Sequence, residues 1–96
     1  MNAEVRFVKK GEFVSRVIAD ETLLVPIRGQ VGDLNAIYSF TEVGGFIWER
    51  LDRLASVREI AEAVTGEFEV SPEQAHHDTL EFVASLESAG LIEPAH

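Results

Sequence analysis

The spacing of apolar residues changes near Thr41 and divides the chain into two parts. Before Thr41, short runs that are β-branched or alternate apolar with polar residues are typical of strands. These runs occupy residues 12–19, 22–27 and 34–40. After Thr41, apolar residues recur every three or four positions, as in helices with one buried face. The pattern predicts an α+β domain of three short antiparallel strands followed by three α-helices.

Two local features predict where the strands turn or end. Asp20 and Glu21 lie between the first two runs and predict a two-residue hairpin turn. Pro26 has no backbone N–H to donate, which predicts a strand end or a sheet edge. In the third run, apolar side chains alternate on one face.

Each predicted helix begins with a residue that can cap it. Thr41 is a suitable N-cap for the first helix. Residues 56–59, Ser-Val-Arg-Glu, form a capping-box sequence before the second helix. Residues 71–74, Ser-Pro-Glu-Gln, form another before the third, with Pro72 at the first helical position.

Glycines predict where the last two helices end. Gly66 is the expected stop of the second helix, and Gly90 is the expected stop of the third, which runs to about Ser88. The apolar stripe of the third helix predicts which of its residues enter the core. These are Ala75, Thr79, Phe82, Val83 and Leu86.

Gly44 and Gly45 stand inside the opening turns of the first helix, where glycine is unfavourable. Each costs about 1 kcal/mol relative to alanine in a helix interior. We expect them to let another backbone approach closely, beside the third strand, and a bound ligand is the alternative. Trp48 lies among the apolar positions of the same helix and is predicted to be a core residue.

Net charge argues against nucleic acid as a partner. The chain carries −9 overall, and residues 41–96 hold twelve acidic and only three basic residues. Proteins that bind nucleic acid place Lys and Arg on phosphates. The charge pattern therefore predicts no nucleic-acid partner.

The sequence shows no arrangement typical of catalysis or metal binding. It has no cysteine, and the adjacent His76 and His77 project about 100° apart on a helix, so they do not share a metal site. No nucleophile turn or phosphate-binding loop is present. We expect a protein that is not an enzyme, with no cofactor and no metal.

Length and the first residues set the remaining expectations. The 96 residues predict a single domain, and a homodimer or a bound partner would help to stabilise so small a core. The opening residues contain no long apolar run, which argues against a signal peptide or a membrane span. Cytoplasmic location is the expectation.

Two stretches of the chain resemble a known family. Residues 38–52, YSFTEVGGFIWERLD, resemble LNETGAxIWELLDG, which is typical of the pyrroloquinoline quinone synthesis protein D (PqqD-like) family. Residues 56–92 continue that family's TVEEIA pattern almost position for position. Thr41 stands where the family usually has Asn, and Arg53 where a turn glycine is common. The resemblance covers roughly residues 12–92 and makes the whole chain one PqqD-like domain.

The resemblance implies a winged helix-turn-helix-like fold that recognises peptides. Such domains bind the leader segment of a ribosomally synthesised precursor peptide. The leader adds a strand to the third strand and packs against the third helix. The domain then presents the precursor to a modifying enzyme, which is a radical S-adenosylmethionine enzyme or a leader peptidase.

The residues themselves agree with this role. An exposed edge strand offers unpaired N–H and C=O groups that an extended peptide can satisfy. The third strand would supply that edge, and one flank of the third helix a second wall. The predicted peptide-binding residues are Leu34, Ala36, Ile37, Tyr38, Ser39 and Phe40 on the strand, and His76, Leu80, Val83 and Glu87 on the helix.

Charge on the third helix predicts the kind of leader. The helix contains acidic residues and no Lys or Arg between Ser71 and Gly90. Such a surface favours a leader that carries Lys or Arg. The acidic residues concerned are Glu73, Asp78, Glu81 and Glu87.

Other functions remain open from the sequence. A winged-helix DNA-binding regulator would share the order of helices, but it needs a basic recognition helix. A subunit that only stabilises its enzyme partner would need no peptide site.

Overall fold

The computed structural model describes residues 2–29, 37–53 and 55–95. Its elements, in chain order, are β1 (Phe7–Lys9), β2 (Gly11–Ile18), β3 (Glu21–Gly29), β4 (Tyr38–Phe40), α1 (Glu42–Leu51), α2 (Val57–Glu67), α3 (Pro72–Ser88) and β5 (Ile92–Pro94). Strands β2, β3 and β4 form an antiparallel sheet in that order. The predicted α+β class, with three antiparallel strands before three helices, is confirmed.

The hairpin between β2 and β3 turns one residue earlier than predicted. Ile18 pairs with Glu21, so the two-residue turn is Ala19-Asp20 and Glu21 belongs to β3. Ala19 has φ of 57°, a left-handed conformation that costs about 1 kcal/mol without glycine. Pro26 is not a strand end, because β3 continues to Gly29. It does lie beyond the three β3 residues that pair with β4.

A second, two-stranded sheet was not predicted. β1 and β5 pair antiparallel, with Phe7 opposite Pro94 and Lys9 opposite Ile92. Phe7 and Ile92 are both buried in the core. Each strand has only three residues, too few to show a period in the sequence, and the pairing joins distant parts of the chain.

The segment before β1 holds the start of α2. The carbonyl groups of Ala3 and Val5 accept hydrogen bonds from the N–H groups of Arg58 and Val57, at 2.9 and 3.1 Å. These N–H groups lie in the first turn of α2, where a helix has no internal acceptors.

The predicted caps of the first two helices are confirmed. Thr41 Oγ1 accepts from the N–H of Gly44 at 3.2 Å. Ser56 Oγ accepts from the N–H of Glu59 at 3.2 Å, and Glu59 Oε1 accepts from the N–H of Ser56 at 2.9 Å. The second helix therefore begins with a complete capping box.

The capping box predicted for the third helix is only half formed. Ser71 Oγ accepts from the N–H of Gln74 at 3.1 Å, as expected. The Gln74 amide does not reach back to Ser71 but donates to Asp78 Oδ1 at 2.7 Å. Asp78 lies one turn ahead on the same helix face, and the Gln74 side chain bonds to it instead of completing the capping box.

The two predicted helix stops have different outcomes. Gly66 is not a stop, because α2 continues to Glu67 and is capped by Phe68. The Phe68 ring lies 5.4 Å from that of Phe46, and this contact fixes where the chain leaves the helix. Gly90 is confirmed: its φ is 79°, its N–H donates to Glu87 O, and the N–H of Leu91 donates to Leu86 O. This is a Schellman ending.

The core lies between the three helices, the inner face of the larger sheet and the β1–β5 pair. Trp48 is buried in it as predicted, and its ring packs against those of Phe13 and Phe40, at 5.1 and 5.9 Å. Four of the five predicted α3 residues are buried, whereas Phe82 is only partly so. The buried cluster comprises Phe7, Leu24, Phe40, Ile47, Trp48, Leu51, Val57, Ile60, Val64, Ala75, Val83, Leu86, Leu91 and Ile92.

Gly44 and Gly45 bring α1 close to β3, β4 and α3, which confirms the predicted close packing, although the approaching atoms belong to side chains and not to another backbone. A methyl group at Gly45 would overlap the hydroxyl of Thr22 in β3. A methyl group at Gly44 would lie 3.1 Å from Phe40 Cβ and 3.0 Å from the Phe82 ring. Gly44 thus lies beside β4, the third predicted strand, while Gly45 contacts β3, the second.

Alanine substitutions at helical glycines distinguish the effect of packing on stability from the effect of helix propensity. We expect Gly45→Ala to lower the free energy of unfolding by about 1–3 kcal/mol, because the new methyl group would overlap the hydroxyl of Thr22 and lie 3.1 Å from its Cβ. Gly66→Ala is the matched control: it is helical with open space around it and should raise stability by up to about 1 kcal/mol. Urea unfolding measures both, and equal stabilisation of the two variants would contradict the packing account.

Glu59 makes part of the stability dependent on pH. Hydrogen bonds from the backbone and hydroxyl of Ser56, and then Arg6, lower the pKa of Glu59 below its ordinary 4.5. A lowered pKa in the folded state stabilises the fold above about pH 4.5 and loses this effect as pH falls through the folded value. Glu59→Gln keeps an oxygen for the Ser56 N–H but has no charge to titrate.

We expect the stability gap between wild type and Glu59→Gln to be largest at neutral pH. The gap should shrink as pH falls below about 4.5, measured by thermal unfolding across pH. Glu62→Gln, also exposed on α2 but outside the capping box, controls for the loss of one carboxylate. A stability gap for Glu59→Gln that stays constant from neutral pH down to about pH 3 would show that the charge of Glu59 plays no part.

Candidate functional site

β4 forms one edge of the larger sheet. Thr22, Leu23 and Leu24 of β3 pair with one side of β4, and within the described residues no strand pairs with the other side. Phe40 turns into the core, whereas Ser39 is exposed and its hydroxyl donates to the carboxylate of Glu21. An edge of this kind presents backbone N–H and C=O groups to any extended chain that approaches.

A hollow opens where β4 ends. We call it the α1–α3 hollow; its volume is about 470 Å³. The Phe82 ring on its α3 side meets the Phe40 ring edge-on, with centroids 5.0 Å apart and planes at 88°. The hollow therefore adjoins the end of the edge strand β4, which Thr41 follows directly in the chain. The hollow is lined by Thr41, Val43, Gly44 and Ile47 from the α1 side and by Asp78, Glu81, Phe82 and Ser85 from α3.

Aromatic contacts connect this hollow to the only tryptophan. Phe82 packs on Phe40, and Phe40 packs on Trp48. The Lys9 ammonium lies 4.2 Å from the centre of the Trp48 ring and 2.7 Å from Asp52 Oδ1. A change in the position of Phe82 would therefore reach Trp48 through a single intervening ring.

The strand residues predicted to bind peptide fall in and beside β4. Leu34 and Ala36 lie outside the described residues. Ile37 precedes β4 and is 68% exposed. Within β4, Tyr38 is partly buried, Ser39 is exposed and Phe40 is buried.

None of the four predicted helix residues is part of the lining of the α1–α3 hollow. Val83 is fully buried, Leu80 is partly buried against the core, and Glu87 is exposed. His76 borders a different hollow, on the α2 side of α3. Their role in peptide binding stays a prediction, and Val83 can contact a peptide only if the core opens.

Phe82 of α3 contacts β4 through the ring of Phe40. It was predicted as a core residue, and it lies about 200° around the helix from Leu80. The sequence contained one signal for it, since an aromatic residue at the edge of a buried stripe projects partly to the surface. The direction of β4 relative to α3 was needed to choose between the two edges of that stripe.

Aliphatic side chains are exposed on the larger sheet. Val14 and Val25 are cross-strand partners in β2 and β3, and they are 49% and 36% exposed. Ile18, at the end of β2, is 54% exposed. Exposed aliphatic groups that adjoin one another often mark a contact with another protein.

The described part of the chain contains neither a cluster of metal ligands nor a helix that could span a membrane. No group of three His, Asp or Glu side chains there is placed to hold a metal ion. None of the helices described is both long and apolar enough to span a bilayer.

Comparison with known proteins identifies the family and two similar structures. Residues 21–92 match the family described as coenzyme PQQ synthesis protein D. A structure of TbiB1 in complex with the TbiA(beta) leader peptide is 25% identical, with a TM-score of 0.70. A structure of lasso peptide synthetase B1 complexed with the leader peptide is 22% identical, with a TM-score of 0.73, and supports the fold alone. Each likeness covers 93% of this chain and 99% of the other.

No curated protein matches the chain by sequence. The family match nevertheless extends from the start of β3 to the first residue of β5, and so includes β4, all three helices and both walls of the hollow. The chain therefore belongs to the coenzyme PQQ synthesis protein D (PqqD) family.

Proposed function

We propose that this protein binds the leader segment of a ribosomally synthesised precursor peptide. The leader would add a strand to the open edge of β4 and place side chains in the α1–α3 hollow. The observation that carries the proposal is that the hollow adjoins the end of β4, with Phe40 of the strand in contact with Phe82 of the hollow. The similar structure of TbiB1 supports it, because it is described as a complex with a leader peptide.

The two parts of the site would contribute different things. Backbone hydrogen bonds along β4 depend little on sequence and supply affinity for any extended chain. The hollow distinguishes side chains, because it combines apolar walls with carboxylates. Together they suit a partner that must be held extended and also be distinguished from other peptides.

A noncatalytic role follows from this proposal. The protein would present the bound precursor to a modifying enzyme, a radical S-adenosylmethionine enzyme or a leader peptidase. The exposed pair Val14 and Val25 lies on the same sheet as β4 and supports a second protein contact there.

The charges of the protein do not support a DNA-binding regulator, which would share this order of helices. α3 carries four acidic residues and no Lys or Arg, the reverse of what phosphate contacts require. A subunit that only stabilises an enzyme differs in another way, because in isolation it would bind no peptide.

The proposed function can be tested by selection from a display library of random peptides. Each peptide is about 20 residues long, roughly the length of two strands and a linker. The isolated domain should enrich peptides, and calorimetry should then show saturable binding. Phe82→Ala should weaken binding about tenfold or more, since a buried aromatic contact is lost. Phe46→Ala is the matched control, a partly buried aromatic that packs on Phe68, outside the α1–α3 hollow. Its affinity should stay within about twofold.

Circular dichroism shows whether both variants are folded. Failure to enrich any peptide, or equal loss of affinity in the two folded variants, would overturn the proposed site. Binding of random duplex DNA at low salt would instead favour the regulator.

Backbone methylation of a selected peptide tests strand addition itself. In a paired strand, N–H groups point alternately toward and away from the neighbouring strand. Methylation of amides that face β4 should weaken binding by about tenfold, as expected for a lost hydrogen bond and the added clash. Methylation of the intervening amides should have little effect, so calorimetry along the peptide should show a period of two. Tolerance at every position would exclude β4 pairing.

A further inference from the structure

The α1–α3 hollow combines two surfaces that suit one class of side chain. Val43, Ile47 and Phe82 provide apolar contacts, while Asp78 and Glu81 add carboxylates to the same lining. Lys and Arg have a long aliphatic stem and a charged end, so one side chain can satisfy both surfaces. An aliphatic side chain would leave the carboxylates with less water and no partner, and an acidic one would be repelled.

We propose that the leader carries a Lys or Arg whose side chain occupies the α1–α3 hollow, with its charged end at Asp78 and Glu81. This inference rests on the proposed function, because it names the side chain that the same site selects. The aromatic face of Phe82 adds a favourable surface for a cation, more so for a guanidinium.

Both carboxylates have capacity for a cation. Asp78 Oδ1 accepts one hydrogen bond, from the neutral amide of Gln74 at 2.7 Å. Glu81 Oε2 lies 3.6 Å from Nε2 of His77, which is cationic only when protonated. Among the described residues, no Lys or Arg forms an ion pair with either carboxylate.

Four carboxylates elsewhere in the described residues are paired with Lys or Arg. Such pairs join β1 or the segment before it to the helices, and join β2 to β3. They are Arg6–Glu59, Lys9–Asp52, Arg58–Glu4 and Arg28–Glu12. Within the described residues, Asp78 and Glu81 therefore lack the Lys or Arg partner that these four carboxylates have.

The start of α1 opposes this preference only weakly. Its N-terminus lies at the hollow through Thr41, and a helix N-terminus carries roughly half a positive charge. Thr41 already accepts from the N–H of Gly44, and Glu42 adds a negative charge in the first turn. Two carboxylates outweigh that half charge, so the hollow favours a cation.

Only two of the four acidic residues of α3 line the α1–α3 hollow. Glu73 borders the hollow between α2 and α3, together with His76, and Glu87 is not part of the α1–α3 lining. Only Asp78 and Glu81 are placed to select a leader side chain. Glu62 and Glu73, which both border the hollow between α2 and α3, therefore provide a control of identical net charge outside the α1–α3 lining.

Paired display selections test this inference. Wild type and two double variants, Asp78→Asn with Glu81→Gln and Glu62→Gln with Glu73→Gln, each select from the same random library of peptides about 20 residues long, roughly two strands. Wild type and the Glu62/Glu73 variant should enrich Lys or Arg at one fixed position. The Asp78/Glu81 variant should lose that enrichment.

Calorimetry then compares a selected peptide with its counterpart in which that Lys or Arg is replaced by Met. The replacement should weaken binding to wild type by about 10- to 100-fold, the range for hydrogen bonds to charged groups. Binding to the Asp78/Glu81 variant should change by less than about threefold.

The possible results separate this inference from the proposed function. If no variant enriches any peptide, the proposed function fails, and this inference fails with it. If peptides are enriched and show the two-residue methylation period, but without a basic preference that depends on Asp78 and Glu81, only this inference fails. An equal loss in the Glu62/Glu73 variant would show a general effect of net charge and would also overturn it.

Discussion

The close approach of α1 to the larger sheet is the constraint on which the site depends. Gly45 rests against Thr22 of β3, and Gly44 rests against Phe40 and Phe82, with no room for a side chain at Gly45 and almost none at Gly44. This contact holds the start of α1 at the end of β4, and it brings α3 within reach of the same strand. The helix propensity lost at two glycines, about 1 kcal/mol each, is offset by packing that forms the floor of the hollow.

Most of the local structure could be predicted from the sequence, because it depends on neighbouring residues. The caps at Thr41 and Ser56 and the glycine ending at Gly90 act within one helical turn, and they are found as expected. Gly66 failed as a stop because the contact of Phe68 with Phe46, which the local sequence does not show, decides where α2 ends.

Features that join distant segments were not predictable in the same way. The β1–β5 pair is too short to show a pattern, and only the fold brings its strands together. The contact of Phe82 with Phe40 of β4 has the same origin, since Phe82 and Leu80 both border the buried stripe of α3 and only the fold shows which of them meets this ring. The strand β4 was predicted from local pattern, while the lining of the hollow required the tertiary structure.

The central claim is that a foreign peptide completes the sheet at β4. Amide hydrogen exchange, followed residue by residue before and after saturation with a selected peptide, tests it most directly. Strand addition predicts that outward-facing amides of Tyr38–Phe40 become protected while those already paired with β3 change little. Saturable peptide binding that leaves the exchange of every β4 amide unchanged would contradict the account.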